Sequence, residues 1–279
     1  MTRSARNKLV IAIAALLLGA AALWAITSRG ELPETEIYRG VSYRCFRPPT
    51  EPEISGLVHV VRVDLTAPGI ELFITPVDPT AKARGFEYRL EYVSSMVKRN
   101  DLAAAINGQY FAADSRYFDT PGDFAVAIDT SISEHQPNHI SLNSYMLWFE
   151  DDLTPHVEPN KPPSAIAIAR ARWAISGEMP VLISGKVNSY ADRIPNKRTL
   201  AGIDPKKKFL WLVTFDRAST MRATEIVSDF GATDAISLDG GGSTTMALGA
   251  AARSVAPGTV CGGWRPVATC IGVRAQPIR

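Results

Sequence analysis

The run Ile236-Ser237-Leu238-Asp239-Gly240-Gly241-Gly242-Ser243-Thr244-Thr245 is the sharpest chemical feature of the sequence. Three consecutive glycines are costly in a regular element, because glycine loses the most backbone freedom on ordering. They do permit positive φ, and they let a ligand come close to the main chain. Their N–H groups can form a concave nest for an anion such as phosphate. An aspartate where a buried strand ends is held rigidly while its carboxylate meets the cleft. The same residues could also make a plain tight turn with an Asp cap. No Lys follows the glycines, so this is not a Walker loop, and the spacing is not the dinucleotide G-x-G-x-x-G.

Three further segments carry candidate groups. Asn196-Lys197-Arg198-Thr199-Leu200-Ala201-Gly202 offers Arg198, whose planar fork suits phosphate or carboxylate, though a surface salt bridge would use it equally well. Ala105-Ile106-Asn107-Gly108-Gln109-Tyr110-Phe111 offers Asn107 as a donor to a sugar hydroxyl or a phosphate oxygen. Its bland alternative is an Asn-Gly turn. Gly263-Trp264-Arg265-Pro266 offers a second cation in Arg265 and, in Trp264, an aromatic face on which a sugar can stack.

Other chemistries find less support. His59, His135, His139 and His156 show no metal-binding spacing, since His135 and His139, four apart, sit in a proline-containing, non-helical stretch. No Cys-x-x-Cys pair supports zinc. Ser243 lacks the G-x-S-x-G frame of a nucleophile elbow. The three cysteines are Cys45, Cys261 and Cys270. A Cys261–Cys270 disulfide would close the shortest loop, but connectivity cannot be read from spacing alone.

These segments need elements to position them. Residues 57–64 alternate as a strand, and 70–77 follow after Pro68-Gly69, so the two read as a hairpin-like pair. Residues 88–100 have helical spacing through Leu90, Val93, Met96 and Val97. Residues 102–106 form a short apolar strand running into the Asn107-Gly108 turn. Residues 141–149, 166–175, 181–183 and 209–215 read as strands, and 155–163 as a loop. Residues 223–230 read as a helix stopped by Gly231. Strand 235–238 delivers the Asp239 loop, 244–248 leaves it, and 267–273 closes the chain. Many strands, few helices and no βαβ alternation predict an α+β class: one mixed, strand-rich domain.

The chain has 279 residues, of which 46% are hydrophobic and 21% charged, ordinary values for a globular protein with a real core. The formal charge is +2. Residues 1–29 carry Arg3, Arg6, Lys8 and Arg29 and no acid, so the body is slightly acidic and gives no reason to expect nucleic acid. Arg3, Arg6 and Lys8 precede 18 apolar residues, 9–26. That predicts an inner-membrane anchor with the C-terminal part exported to the periplasm. A cleaved signal peptide, giving a secreted protein, is the alternative. The expected organisation is an anchor or signal at 1–29, a linker and domain entry at 30–56, and the main domain at 57–279.

Taken together and in order, the segments resemble the phosphodiester glycosidase family over roughly residues 57–274. Its "A-I-N-G-G-F-F"-like segment is matched by 105–111, and its "S-G-x-P-V-L" by 176–182 with one residue more before the proline. Its "R-T-x-x-G" is matched by Arg198, Thr199 and Gly202. Its "L-D-G-G-G-S" is matched by 238–243 and its "R-P-V-A" by 265–268. Gln109 and Tyr110 depart from the usual Gly and Phe. Residues 121–126 and the stretch to 163 look particular to a bacterial branch.

The resemblance implies hydrolysis of a sugar joined through C1 to a phosphate that bears a second group, in envelope or exopolysaccharide metabolism. Arg198, Thr199, Arg265 and the N–H groups of Gly240, Gly241, Gly242 and Ser243 would hold the phosphate. Asp239 would act at the anomeric carbon, as nucleophile or as base for water, with Asp123 or Glu178 as a second carboxylate. Asn107 and Gly108 would help orient the substrate, and Trp264 would stack the sugar. No cofactor is implied, and no carboxylate cluster argues for calcium or magnesium. The expected partners are a sugar phosphodiester or envelope glycan and, through residues 9–26, the inner membrane. A glycosyl-phosphate transferase or a non-catalytic polysaccharide-binding domain would share the same cleft.

Overall fold

A computed structural model describes residues 31–115, 117–252, 255 and 257–278. The predicted anchor or signal lies outside them, and no described helix is long and apolar enough to cross a membrane.

Antiparallel pairing dominates the architecture. The largest sheet has eight strands: β1 (Leu32–Tyr38), β2 (Val41–Phe46), β3 (Ile54–Asp64), β17 (Phe209–Ala218), β16 (Asn196–Asp204), β18 (Asp234–Ser237), β14 (Met179–Ile183) and β15 (Lys186–Val187), in that order. A second sheet runs β10 (Gln136–His139), β9 (Ser131–Ser133), β13 (Trp173–Gly177), β11 (Tyr145–Phe149), β12 (Pro155–Glu158). A third runs β20 (Gly258–Cys261), β19 (Met246–Leu248), β6 (Ala104–Asn107), β21 (Cys270–Arg274), β4 (Glu71–Ile74). A small three-stranded sheet joins β5 (Tyr88–Arg89), β8 (Phe124–Ala127) and β7 (Phe111–Ala113).

Both faces of the large sheet are buried over most of the central strand β17, which reads as a near-continuous apolar run. On β3, Val58 and Val60 face one core and Val61 and Val63 the other. The first core is closed by the amphipathic helix Thr220–Asp229, which packs Ala223, Ile226 and Val227 against Leu200, Val213 and Phe215. Ser219 caps that helix by accepting from the N–H of Arg222. The second core lies between the large sheet and strands of the second and third sheets, and it includes Leu147, Ile175, Ile106 and Ile271. The helix Val93–Arg99 buries Val93, Met96 and Val97 in a separate cluster beside the third sheet.

The strand-rich, helix-poor class is as expected, and several local expectations are corrected. The stretches 57–64 and 70–77 are not a hairpin: β3 pairs with β2 and β17, whereas β4 pairs with β21 in another sheet. Residues 88–100 are not one helix, because Tyr88–Arg89 pairs with β8 and the helix begins at Val93. Residues 166–175 split into the helix Ala165–Arg170 and β13. There the run of alternating Ala and Ile suits either period, and Ser164 decides it by accepting from the N–H of Ala167. The loop expected at 155–163 begins as β12, an edge strand with its proline at the first position. The stretch 30–56 contributes β1 and β2 to the large sheet.

The Cys261–Cys270 disulfide is also corrected, for all three cysteines are buried thiols. Cys261 lies on β20 and Cys270 on β21, with β19 and β6 between them. Three strand spacings separate them by roughly 14 Å, about twice the Cα separation a disulfide tolerates.

Candidate active site

Asp239 follows β18, and its main chain is fixed from both sides. Its N–H donates to the Gly108 carbonyl at 3.2 Å, and its carbonyl accepts from Asn107 Nδ2 at 2.7 Å. Asn107 Oδ1 accepts in turn from Thr199 Oγ1 at 2.9 Å and from the Thr245 N–H at 3.0 Å. Thr199 Oγ1 also lies 3.3 Å from Thr244 Oγ1. Asn107 and Thr199 are fully buried. Asn107 ends β6 as a paired residue opposite Cys270, and its amide ties β6, β16 and both ends of the glycine turn together. Gly108 does the same from its backbone, since it accepts from Asp239 and donates to the Thr269 carbonyl at 2.8 Å.

Beyond Asp239 the chain makes a single 3₁₀ turn, Gly241–Ser243. Gly241 has φ +56°, which side chains adopt at a cost. A side chain at Gly240 would begin 2.9 Å from the Lys197 carbonyl oxygen. The turn closes through Ser243 N–H to the Gly240 carbonyl and Thr244 N–H to the Gly241 carbonyl, at 3.1 and 3.3 Å. It does not consume the N–H groups of Gly241 and Gly242, which stand at its open start.

The Asp239 carboxyl is mostly buried, and desolvation holds it above the ordinary aspartate range. A hydrogen bond from Ser243, the Arg265 charge and the Gly240 N–H pull the other way, while the Glu178 carboxylate adds to the rise. Arg265 Nη1 donates to Ser243 Oγ at 3.1 Å, so arginine, serine and aspartate form a relay. Arg265 Nε is held by Asp119 Oδ2 at 2.6 Å, and Asp119 Oδ1 accepts from Ser115 at 2.7 Å. Burial pushes the Asp119 carboxyl up, but these two hydrogen bonds and the arginine charge outweigh it and leave it below its usual range.

Glu178 and Tyr110 also neighbour Asp239. The Glu178 N–H donates to the Ser237 carbonyl at 2.9 Å, which places this exposed residue beside the strand leading to Asp239. Tyr110 Oη donates to Glu178 Oε2 at 3.4 Å. Burial holds the phenol well above a tyrosine's ordinary value, and the charges of Glu178 and Asp239 push it further, against Arg198.

The remaining expected residues are placed as follows. Arg198 Nη2 is bound by both Asp192 oxygens, at 2.8 and 3.0 Å, and by the Ile194 carbonyl at 2.9 Å. That nitrogen braces the loop after β15, and the Arg198 charge also acts on the Tyr110 phenol. Asp123 accepts from the Thr120 N–H and hydroxyl at 2.8 and 2.9 Å. It shapes its own turn, and among the described residues no hydrogen bond or ion pair links it to Asp239, Glu178 or Arg265. Trp264 is 83% exposed, with Lys197 Nζ 5.7 Å from its ring centroid, a cationic and aromatic platform at the rim.

Sequence reading missed Tyr110, Asp119, Asp192 and Lys197 as members of this neighbourhood. Tyr110 was visible only as a departure from a motif. Asp119 lies 146 positions from Arg265 and carries no local signal.

A buried carboxylate beside an arginine-backed glycine turn, faced by a second carboxylate and a phenol, defines a class: a carboxylate-centred cleft shaped for an anionic ligand. The chain belongs to the phosphodiester glycosidase family, whose model matches residues 100–274, more than half of it. The fold is similar to that of the zebrafish N-acetylglucosamine-1-phosphodiester alpha-N-acetylglucosaminidase catalytic domain, auto-inhibited by its pro-peptide, with TM-score 0.60, 20% identity and coverage of 85% of this chain and 84% of that one. A hypothetical protein from Synechocystis matches with TM-score 0.61 and 12% identity, over 85% of this chain and 62% of that one. A protein from Burkholderia pseudomallei described as exported matches with TM-score 0.58 and 12% identity, over 78% and 74%. A search of curated proteins finds no sequence match.

Proposed function

We propose that this chain hydrolyses the glycosyl–phosphate bond of a sugar phosphodiester at the Asp239 turn. The observation that carries the reading is the set of groups around the buried Asp239 carboxyl. Arg265 and Ser243 supply a cation and a donor beside the glycine turn. Glu178 and Tyr110 supply a second carboxylate and a phenol whose charges act on the same centre. A phosphodiester seated against Arg265 puts its anomeric carbon toward the carboxylates. Phosphate is a good leaving group once its charge is neutralised, so fixed dipoles and Arg265 supply most of the stabilisation. Asp239 acts at the anomeric carbon, as nucleophile or as base for water, and Glu178 is the second carboxylate. Tyr110 is placed to hold that carboxylate, and Trp264 with Lys197 to meet the sugar or the group beyond the phosphate.

The residues before the domain support a location. The basic cluster Arg3, Arg6, Lys8 and the apolar residues 9–26 direct export of the domain to the bacterial periplasm, as an anchored or a secreted protein. That location suits an envelope or exopolysaccharide substrate.

The test uses the full-length chain in mild detergent and its Asp239→Asn variant. Each is incubated with UDP-N-acetylglucosamine and a panel of sugar-1-phosphodiesters, and mass spectrometry follows the products. Free sugar from the parent and none from the folded variant supports the reading. Sugar appearing only on an added acceptor means a transferase. Ligand binding that Asp239→Asn leaves intact, without turnover by the parent, means a binding domain.

A further inference from the structure

Away from the Asp239 turn, residues distant in sequence bring metal-binding donors together. His59 of β3, Asp216 of β17 and Cys261 of β20 each place one donor atom within 4.8 Å of the others. Cys45 stands opposite His59 on the β2–β3 ladder, with its Sγ 4.0 Å from His59 Nε2. His59, Cys45 and Cys261 are buried.

The donors are aimed by their surroundings. Tyr43 Oη bonds His59 Nδ1 at 2.8 Å, so that Nε2 is the ring nitrogen facing Cys45. The Leu57 N–H donates to Asp216 Oδ2 at 2.9 Å, and Oδ1 accepts the contact from Cys261 Sγ at 3.9 Å. The β3–β17 register shifts between Phe215 and Arg217, and such a bulge redirects the side chain it contains. A buried histidine satisfied by a tyrosine is ordinary core. That account leaves unexplained why a carboxylate and a thiol from two other strands converge on it.

We infer that His59, Asp216 and Cys261, with Cys45 as the fourth donor, form a binding site for a zinc ion. One imidazole, one carboxylate and two sulfurs suit a borderline, tetrahedral ion. Calcium and magnesium prefer oxygen donors throughout. Bonds of about 2.0–2.3 Å set tetrahedral donors about 3.3–3.8 Å apart. The Cys261–Asp216 and Cys45–His59 contacts of 3.9 and 4.0 Å need contract only slightly to reach that range, whereas Cys45 stands outside the 4.8 Å group and must also swing toward its other donors to join them. Tyr43 is then the outer partner that fixes the ring of a metal-bound histidine. Binding exchanges the thiol protons of Cys45 and Cys261 for metal–sulfur bonds and releases them to solvent, with no redox step. Cys261 is followed by Gly262, Gly263, Trp264 and Arg265, so the ion clips the root of the loop that carries Arg265 to strands β3 and β17 of the large sheet.

The probe is cobalt(II), titrated into the full-length chain after chelation and under reductant, then displaced by zinc. One ion per chain is expected, with a thiolate-to-cobalt charge-transfer band and the strong visible bands of tetrahedral cobalt. Cys261→Ser should weaken the charge-transfer band and lower zinc affinity at least about 100-fold, and Tyr43→Phe should lower it about 10–100-fold. Cys270→Ala should keep both band and affinity, because Cys270 bonds Thr75 outside the cluster. Cobalt that binds without a thiolate band, or fails to bind the unsubstituted chain, overturns the proposal whether or not any variant folds. A band that survives Cys261→Ser and disappears in Cys270→Ala overturns it as well.

Discussion

Arg265 and Arg198 look equivalent in the sequence, each a cation beside a short motif, yet their surroundings give them different work. The Arg265 side chain is 41% exposed; Asp119 holds Nε and Nη2, and Nη1 reaches Ser243 beside Asp239. The Arg198 side chain is 14% exposed, and Asp192 and Ile194 occupy its Nη2. One arginine is oriented by an acid behind it and faces the cleft. The other holds the adjacent loop through Nη2, while its charge also acts on the Tyr110 phenol. A charged residue near a site is available to a ligand only as far as its protein partners leave it so.

The largest expected effect tests the centre of this arrangement. Asp239→Asn should lower kcat/KM by about 10³-fold or more while the protein stays folded. The variant should also be more stable at neutral pH. The folded carboxyl sits above its unfolded value through burial, so the native state binds more protons in that interval. Stability therefore falls as pH rises from the ordinary aspartate value through the raised one. Asn removes that fall, which urea unfolding at several pH values would reveal. In the parent, an ionised Asp239 places the acid limb of the rate profile above the ordinary aspartate range. Next in size, Arg265→Ala should reduce kcat/KM about 10²- to 10³-fold, the loss expected when a preorganised charge partner is removed.

Which parts were legible follows from the range of the interactions. The Asp239 turn was readable because its glycines and its aspartate are contiguous, and a local backbone shape needs those residue types together. The faces of β3 and β17 and the helix Thr220–Asp229 were readable because their periodicity and cap are local. The pairing of β4 with β21 was not, since the partners come from opposite ends of the chain. In the sequence the Asn107-Gly108 pair spells a turn or a ligand contact. Its burial depends on Thr199 and Thr245, 92 and 138 positions away. The His59, Asp216, Cys261 group was invisible for the same reason: its donors come from three strands with no spacing rule among them.

Asn107→Ala would break the comparison from the structural side. It strips partners from the Asp239 carbonyl, the Thr199 hydroxyl and the Thr245 N–H in a fully buried place. A loss of about 3 kcal/mol is expected in denaturant unfolding, with activity lost in proportion as the turn loosens. Arg198→Ala should cost less, about 1–3 kcal/mol, and should change kcat/KM of the folded protein less than tenfold. Equal loss of turnover in the Arg198 and Arg265 variants would show that both cations serve the ligand directly.

The smallest effect sharpens the rim. Trp264 is almost fully exposed, with the Lys197 ammonium over its ring. Its removal should leave stability within about 0.5 kcal/mol, as for most surface substitutions. If the ring stacks on the sugar or on the group beyond the phosphate, Trp264→Ala should raise KM several-fold, with kcat nearly unchanged, because stacking is made equally in the ground and transition states. Comparing substrates that differ only in the group beyond the phosphate would then locate the contact. A KM penalty that persists when that group is trimmed assigns Trp264 to the sugar, and one that vanishes assigns it to the far side of the phosphate.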